Sequence, residues 1–180
     1  MLMGIDSIKA NLTSPARTYN WEVLIPPIVG IDTVSMLVRC DSTQIPSRTF
    51  DDIHIDYKQT AGFNVPGKPT YTHNWDCTFK EGEDAIIWDS IYAWQQAITH
   101  NRLGIGVGDP FIKADLLLSL LTTTGATYKQ LYLIGAYPSA IGQVDLSMKG
   151  SGNIVYPVTF KFDYVEDLRI EAGISINVSF

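Results

Sequence analysis

Three histidines, two cysteines and two adjacent pairs of acids are the residues of this chain best suited to chemistry. His54, His73 and His100 are scattered, and none stands at the HxH or HxxxH spacing that turns two imidazoles toward one metal. Cys40 and Cys77 lie 37 positions apart with no CxxC spacing, which predicts a pair of buried, reduced thiols. Asp51-Asp52 and Glu83-Asp84 are neighbours in sequence, and neighbours on a strand point to opposite faces. They suit strand-end solvation and the charge at a helix start better than paired acid and base. The stretch LGIGVGD (Leu103–Asp109) has GxGxG after an expected helix, whereas a dinucleotide site needs GxGxxG between strand and helix. Asp109-Pro110 would also oppose a phosphate, so the stretch is expected to be a flexible loop. There is no GxSxG elbow, and the sequons at Asn11 and Asn177 mean little without a secretion signal. The expectation is a protein with no catalytic, cofactor-binding or metal-binding residues, and not an enzyme.

Composition bounds the remaining functions. A chain of 180 residues, 46% hydrophobic and 18% charged, suits one domain and can bury a core without staples. Four Trp, nine Tyr and seven Phe argue against disorder. The net charge of −6 disfavours tight wrapping of nucleic acid, which depends on neutralising phosphates. The start, MLMGIDSIKANL, lacks the features of a signal peptide, and the longest apolar cluster, Leu116–Leu121, is too short for a bilayer. Folding in a cytoplasm is expected.

Most segments read as strand. Thr18–Ile25 is aromatic and β-branched and stops at Pro26-Pro27, and Thr33–Cys40 is the second expected strand. Strict alternation follows over Asp52–Lys58 and Tyr71–Lys80, separated by a loop over Ala61–Pro69. From Asp84 to Thr99 the period changes to that of a helix, with Ile87, Trp88, Ile91, Trp94 and Ile98 on one stripe. That stripe places both tryptophans in the core, with acids at the start of the helix and Gly104 as its stop. Further strands are expected over Ile112–Leu121, Tyr128–Tyr137, Gln143–Lys149, Ile154–Tyr164 and Ile170–Phe180. The prediction is one mainly β domain over 1–180, with an N-terminal arm at 1–16, a helix at 84–99 and a C-terminal strand extension at 167–180.

Several blocks, in order, carry a resemblance. They are RTYNWEVLIPP (Arg17–Pro27), VRCDSTQIPSRTF (Val38–Phe50), IDYKQTAGFNVPGKPTYTHNWDCTF (Ile55–Phe79), DAIIWDSIYAWQQAI (Asp84–Ile98), AYPSAIGQVDLS (Ala136–Ser147) and VTFKFDYVE (Val158–Glu166). Together they resemble the tail tube proteins of contractile-tailed bacteriophages, across most of residues 17–166. The chain departs from the pattern at Met1–Pro15 and Arg169–Phe180, which leaves open a main tube subunit or a tube initiator of the baseplate.

The resemblance implies a β-sandwich or split barrel, six copies of which close into a ring with a continuous inner barrel. Rings would stack into a tube inside a sheath, with no cofactor, as a virion component assembled in the host cytoplasm. Its implied partners are further copies of itself, the tail sheath, baseplate and tail terminator proteins and the tape measure protein, with DNA in transient passage and no membrane. Six subunits of four strands at about 4.8 Å spacing give a backbone diameter of roughly 40–50 Å once tilted. The polar faces of the alternating stretches would line that bore: Asp52, His54, Asp56, Lys58, Thr72, Asn74, Asp76, Thr78, Lys80, Gln143, Asp145, Ser147, Lys149, Thr159, Lys161 and Asp163. A monomeric sandwich would use the same faces as solvent surface. In the resembling hairpin, Phe63, Val65, Pro66, Gly67 and Lys68 are expected at the tip, where Phe63 and Val65 would contact another subunit. Alternative readings are a tube of a type VI secretion system or phage-like bacteriocin, and a carbohydrate-binding sandwich.

Overall fold

A computed structural model describes residue 5 and residues 15–28, 32–58, 60–106, 112–148 and 152–168. Nine strands and two helices are found among them: β1 (Trp21–Leu24), α1 (Thr33–Arg39), β2 (Cys40–Thr43), β3 (Arg48–Tyr57), β4 (Thr60–Tyr71), β5 (Asn74–Lys80), α2 (Ile86–Ile98), β6 (Ala114–Leu121), β7 (Thr127–Ile141), β8 (Val155–Lys161) and β9 (Tyr164–Leu168). The mainly β class is as expected from the alternation. All pairings are antiparallel.

Seven strands form the body. Their order is β1-β6-β7-β8-β5-β2, with β9 also on β7. The long strand β7 belongs to two sheets: its first part pairs with β6 and β9, and Tyr137–Ile141 pair with β8. The change of partner falls at Gly135, whose φ is +65°, a conformation that strains any residue with a Cβ. A Cβ there would also collide with the Asp163 carboxylate. Asp163 lies opposite, between β8 and β9, and its N–H donates to the Ile134 carbonyl at 2.9 Å. The expected single strand Ile154–Tyr164 is therefore two strands that bend in step with β7. Pro138, just past the expected strand Tyr128–Tyr137, is carried inside β7 at a bulge, where a missing N–H is tolerated.

One core joins both sheets. Leu116, Leu118, Leu131 and Leu133 come from one side, and Trp75, Cys77, Phe79, Val158 and Phe160 from the other. Helix α2 closes it with Ile87, Ile91 and Trp94. Trp94 packs on Phe160 with ring centroids 6.1 Å apart and donates its indole N–H to the Ile112 carbonyl at 2.6 Å. Trp88, expected in the core, is instead 39% exposed. It falls at the margin of the buried stripe, where the cover of α2 runs out.

Thr33–Arg39, expected as strand, is helix α1. Its local cap outweighs the β preference of Thr33, Val34 and Val38: Asp32 accepts from the Val34 and Ser35 N–H groups at 3.2 and 3.3 Å. Arg39, at its end, grips Asp84 with two hydrogen bonds of 2.7 and 2.5 Å. Glu81 caps α2 by accepting from the Ile87 and Trp88 N–H groups at 3.3 and 2.9 Å, and lies 3.5 Å from Arg39. The acids expected at the helix start thus split, one capping the helix and one tying it to α1. Gly104 is not the stop, because α2 ends at Thr99, where the backbone turns extended.

The hydrogen bonds from Arg39 hold the Asp84 carboxyl down at about 2, against an ordinary 3.8. A folded value below the unfolded one means that this link stabilises fully above about pH 4 and is lost as pH falls through about 2. The stability gap between wild type and Asp84→Asn in urea unfolding is expected to be constant from pH 7 to pH 5 and to close near pH 2.

Candidate assembly surfaces

The alternation that builds the core also builds an outer face. On β5, Trp75, Cys77 and Phe79 point inward, while Asn74, Asp76 and Lys80 are exposed and Thr78 is half-buried. Register places Asn74 opposite Lys161 and Asp76 opposite Thr159 on β8. Thr159 donates to Asp76 at 2.7 Å, and the Thr78 hydroxyl meets Ser42 of β2 at 2.6 Å. Lys80 pairs with Asp41. Five of the residues expected on the polar wall are therefore brought together with Lys80 on one face, already hydrogen-bonded across three strands.

Asp52, His54 and Asp56 lie on a separate two-stranded ribbon, β3–β4. There His54 stands between Asn64, at 2.6 Å from Nδ1, and Asp56, at 3.0 Å from Nε2. Lys58 occupies the ribbon's turn with φ +48°. Thr72 falls between β4 and β5, beside His73 at φ +55°, so the expected strand Tyr71–Lys80 begins only at Asn74. Asp163 is the corner residue, paired with Lys113 at 3.1 Å.

Residues 143–148, expected as part of a strand, do not form one. Residues 142–147 carry no regular pairing, and Lys149 lies outside the described residues. Gln143, Asp145 and Ser147 are exposed, and Leu146, between Asp145 and Ser147 in the alternation, is also 78% exposed. Alternation alone cannot make a strand where no neighbour offers an edge. The last expected strand, Ile170–Phe180, also lies outside the described residues.

The hairpin tip is corrected as well. Phe63, Val65, Pro66, Gly67 and Lys68 lie within β4, and a turn stands at Lys58, between β3 and β4. Phe63 pairs with Ile55, Val65 with Ile53 and Pro66 with Asp52. Gly67 and Lys68 then stand against Asp51 alone, a bulge between the Phe50 and Asp52 pairs. A Cβ on Gly67 would come within 2.7 Å of the Asp51 carbonyl oxygen. Proline and glycine thus mark an irregular strand. A ribbon has no inner strand whose N–H groups must all be paired, so it tolerates both.

The ribbon leaves an apolar face bare. Ile53, Ile55 and Phe63 are 54%, 40% and 56% exposed, and Val65 is half-buried beside them. No other described element packs on β3 or β4 to any comparable extent. At its base Arg48 lies over Phe50 and Tyr71, and Tyr71 meets Phe162 edge-on. Two strands alone are marginal in water. This surface could not have been read from a loop prediction, although alternation in IHIDY and GFNV carried the signal.

Burial pushes the Cys77 thiol well up, while Cys40 is half-buried at the sheet edge. Among the described residues no group of three His, Cys, Asp or Glu could hold a metal ion, and no helix is long and apolar enough to cross a membrane.

Comparison with solved structures assigns the architecture. A chain of the anti-feeding prophage (AFP) tube-terminating cap matches at TM-score 0.67 and 18% identity, covering 93% of this chain and 99% of that one. The chain has the fold of subunits from contractile injection particles. A chain of the sheath/tube terminator of an extracellular contractile injection system, PVC, matches at TM-score 0.64 and 16% identity, covering 87% and 99%. One from the PVC sheath–tube complex matches at 0.63 and 16%, covering 94% and 100%. No protein-family model matches, and neither does any curated protein sequence.

The bulge makes a local prediction. Gly67→Val should force Asp51 and Gly67 apart and speed amide exchange over residues 48–57 about tenfold, leaving β5–β8 protection unchanged. Exchange measured by mass spectrometry checks it.

Proposed function

We propose that this chain is a structural ring subunit, six copies closing around a bore and stacking as the tube of a contractile particle or as the ring that ends it. The observation that carries the reading is the near full-length fold match to cap and tube-complex chains. The bare apolar face of the β3–β4 ribbon supports it, since exposed surface of this kind calls for a cover and a second copy of the chain provides one. In this reading Ile53, Ile55, Phe63 and Val65 pack on a neighbouring subunit or the next ring. The polar face of β5–β8, with Asp76, Asn74, Thr78, Thr159, Lys161 and Lys80, lines the bore together with Asp52, His54 and Asp56 of the ribbon.

A wall of this kind suits passage. It mixes three carboxylates with two lysines, and DNA moving through would meet mild repulsion with few cations to hold its phosphates. The role is structural and involves no cofactor or catalysis. Sheath, baseplate, terminator and tape measure proteins would be its partners in a phage tail. An extracellular contractile injection particle of the AFP or PVC kind is the second reading, favoured by the names of the matched structures.

Negative-stain microscopy of the purified chain is expected to show rings of uniform width, and tubes at high concentration. A strictly monomeric mass across concentrations and salts in light scattering would sink the reading. Replacing Phe63 and Val65 together by Ser should leave the circular dichroism spectrum unchanged and reduce tube length or yield severalfold. Exchanging Asp56 and Asp76 for Lys should leave tubes assembled and slow DNA release from the particle, an effect that added salt relieves.

A further inference from the structure

The two cysteines stand 37 positions apart in the chain, yet the fold brings them together. Their strands, β2 and β5, are antiparallel neighbours, with Cys40 opposite Phe79 and Thr43 opposite Cys77. Cys77 and Phe79 point into the core, and Cys40 packs against the same cluster. Both thiols are free and lie across a diagonal of the ladder, within reach of each other. Cys40 is near enough to act with burial in pushing the Cys77 thiol up. Thr43 of β2 also touches it, its hydroxyl 3.2 Å from Cys77 Sγ.

Strand β2 has room to adjust. It is four residues long, ends the sheet and pairs with β5 alone. Its register shifts between Cys40 and Ser42, which leaves Asp41 as an extra residue beside the thiol. An S–S bond requires the two Cβ atoms about 4 Å apart, closer than a regular diagonal provides. A short edge strand with a bulge at that point absorbs the slide.

Access to the two thiols is unequal. Cys77 is 1% exposed. Cys40 lines a cavity of about 390 Å3 between β1 and β2, together with Thr18, Tyr19, Glu22 and Asp41. A small reagent therefore meets Cys40 first.

We propose that Cys40 and Cys77 are a disulfide-forming pair, oxidised by a small organic disulfide that enters at Cys40, and that the bond staples β2 to β5. In the first step the Cys40 thiolate attacks the reagent, forming a mixed disulfide and releasing one thiol. In the second, Cys77 gives up its proton and attacks Cys40 Sγ, and the other half of the reagent leaves as a thiol. Two protein thiols are oxidised and one reagent disulfide is reduced, with both protons ending on the released thiols. The closed loop contains the whole β3–β4 ribbon, so the bond fixes together the two chain ends from which the ribbon extends. The site belongs to the single chain, whatever that chain assembles into.

The native full chain treated with cystamine, a small disulfide, tests the pair. Both thiols should be lost to thiol titration, and a non-reducing digest should yield one peptide pair joined through Cys40 and Cys77. The midpoint of thermal unfolding should rise by roughly 5–15 °C and fall back on reduction. In Cys40→Ser the Cys77 thiol should be lost at least about tenfold more slowly, because its route through Cys40 is gone. The wild-type digest decides the matter even if that variant fails to fold. A product that stops at a Cys40 adduct with Cys77 still free overturns the pair. So do bonds between chains, or joined peptides that form only in urea. A joined chain that melts no later than the reduced one overturns the staple.

Discussion

The fold depends on a corner that two long strands turn together. At Gly135 a positive φ and the lack of a Cβ let β7 leave one sheet and enter the other, while Asp163 bends the partner between β8 and β9. The Ile134 carbonyl receives the Asp163 N–H, Asp115 accepts the Gly135 N–H at 3.0 Å, and Lys113 pairs with the Asp163 carboxylate. These polar contacts satisfy the backbone where the regular ladder is interrupted. With the corner in place, the two sheets bring their apolar sides to one core, and α2 has a shared floor to cover.

Sidedness is the consequence. Each strand of the β2–β5–β8 layer devotes one face to that core, so its polar residues must share the other. A face hydrogen-bonded across three strands through Ser42, Thr78, Asp76 and Thr159 is ordered before anything binds it. The ribbon obeys the same period-two rule without a core of its own, so its apolar side stays open to water. In the ring proposed above, the bare apolar ribbon would hold a neighbour and the satisfied polar face would leave cargo alone.

The helices show how local and long-range effects divide the work. Asp32 makes α1 helical through its own capping bonds, overriding three β-branched residues. Helix α2 owes its position to distant groups: the indole of Trp94 against Phe160, and Arg39 holding Asp84 across the chain. The same packing decides that Trp94 is buried and Trp88 is not, although both belong to one apolar stripe.

Sequence by itself determined the β class, the place of α2, the inward set of β5 and β8 and the polar set opposite, because a period of two or 3.6 fixes which side chains share a face. It also excluded a local catalytic or metal motif, since those depend on residue types at short spacing. Tertiary structure alone decided where strands end. Gln143–Lys149 alternates as well as β5 does, yet its described residues, 143–148, carry no ladder, because among the described residues nothing pairs with them. Pro66-Gly67 has the composition of a turn, yet lies in a strand, since β3 runs alongside and absorbs the extra residue as a bulge. Strand pairing is a contract between distant segments, and no pattern within one of them records whether the other is there.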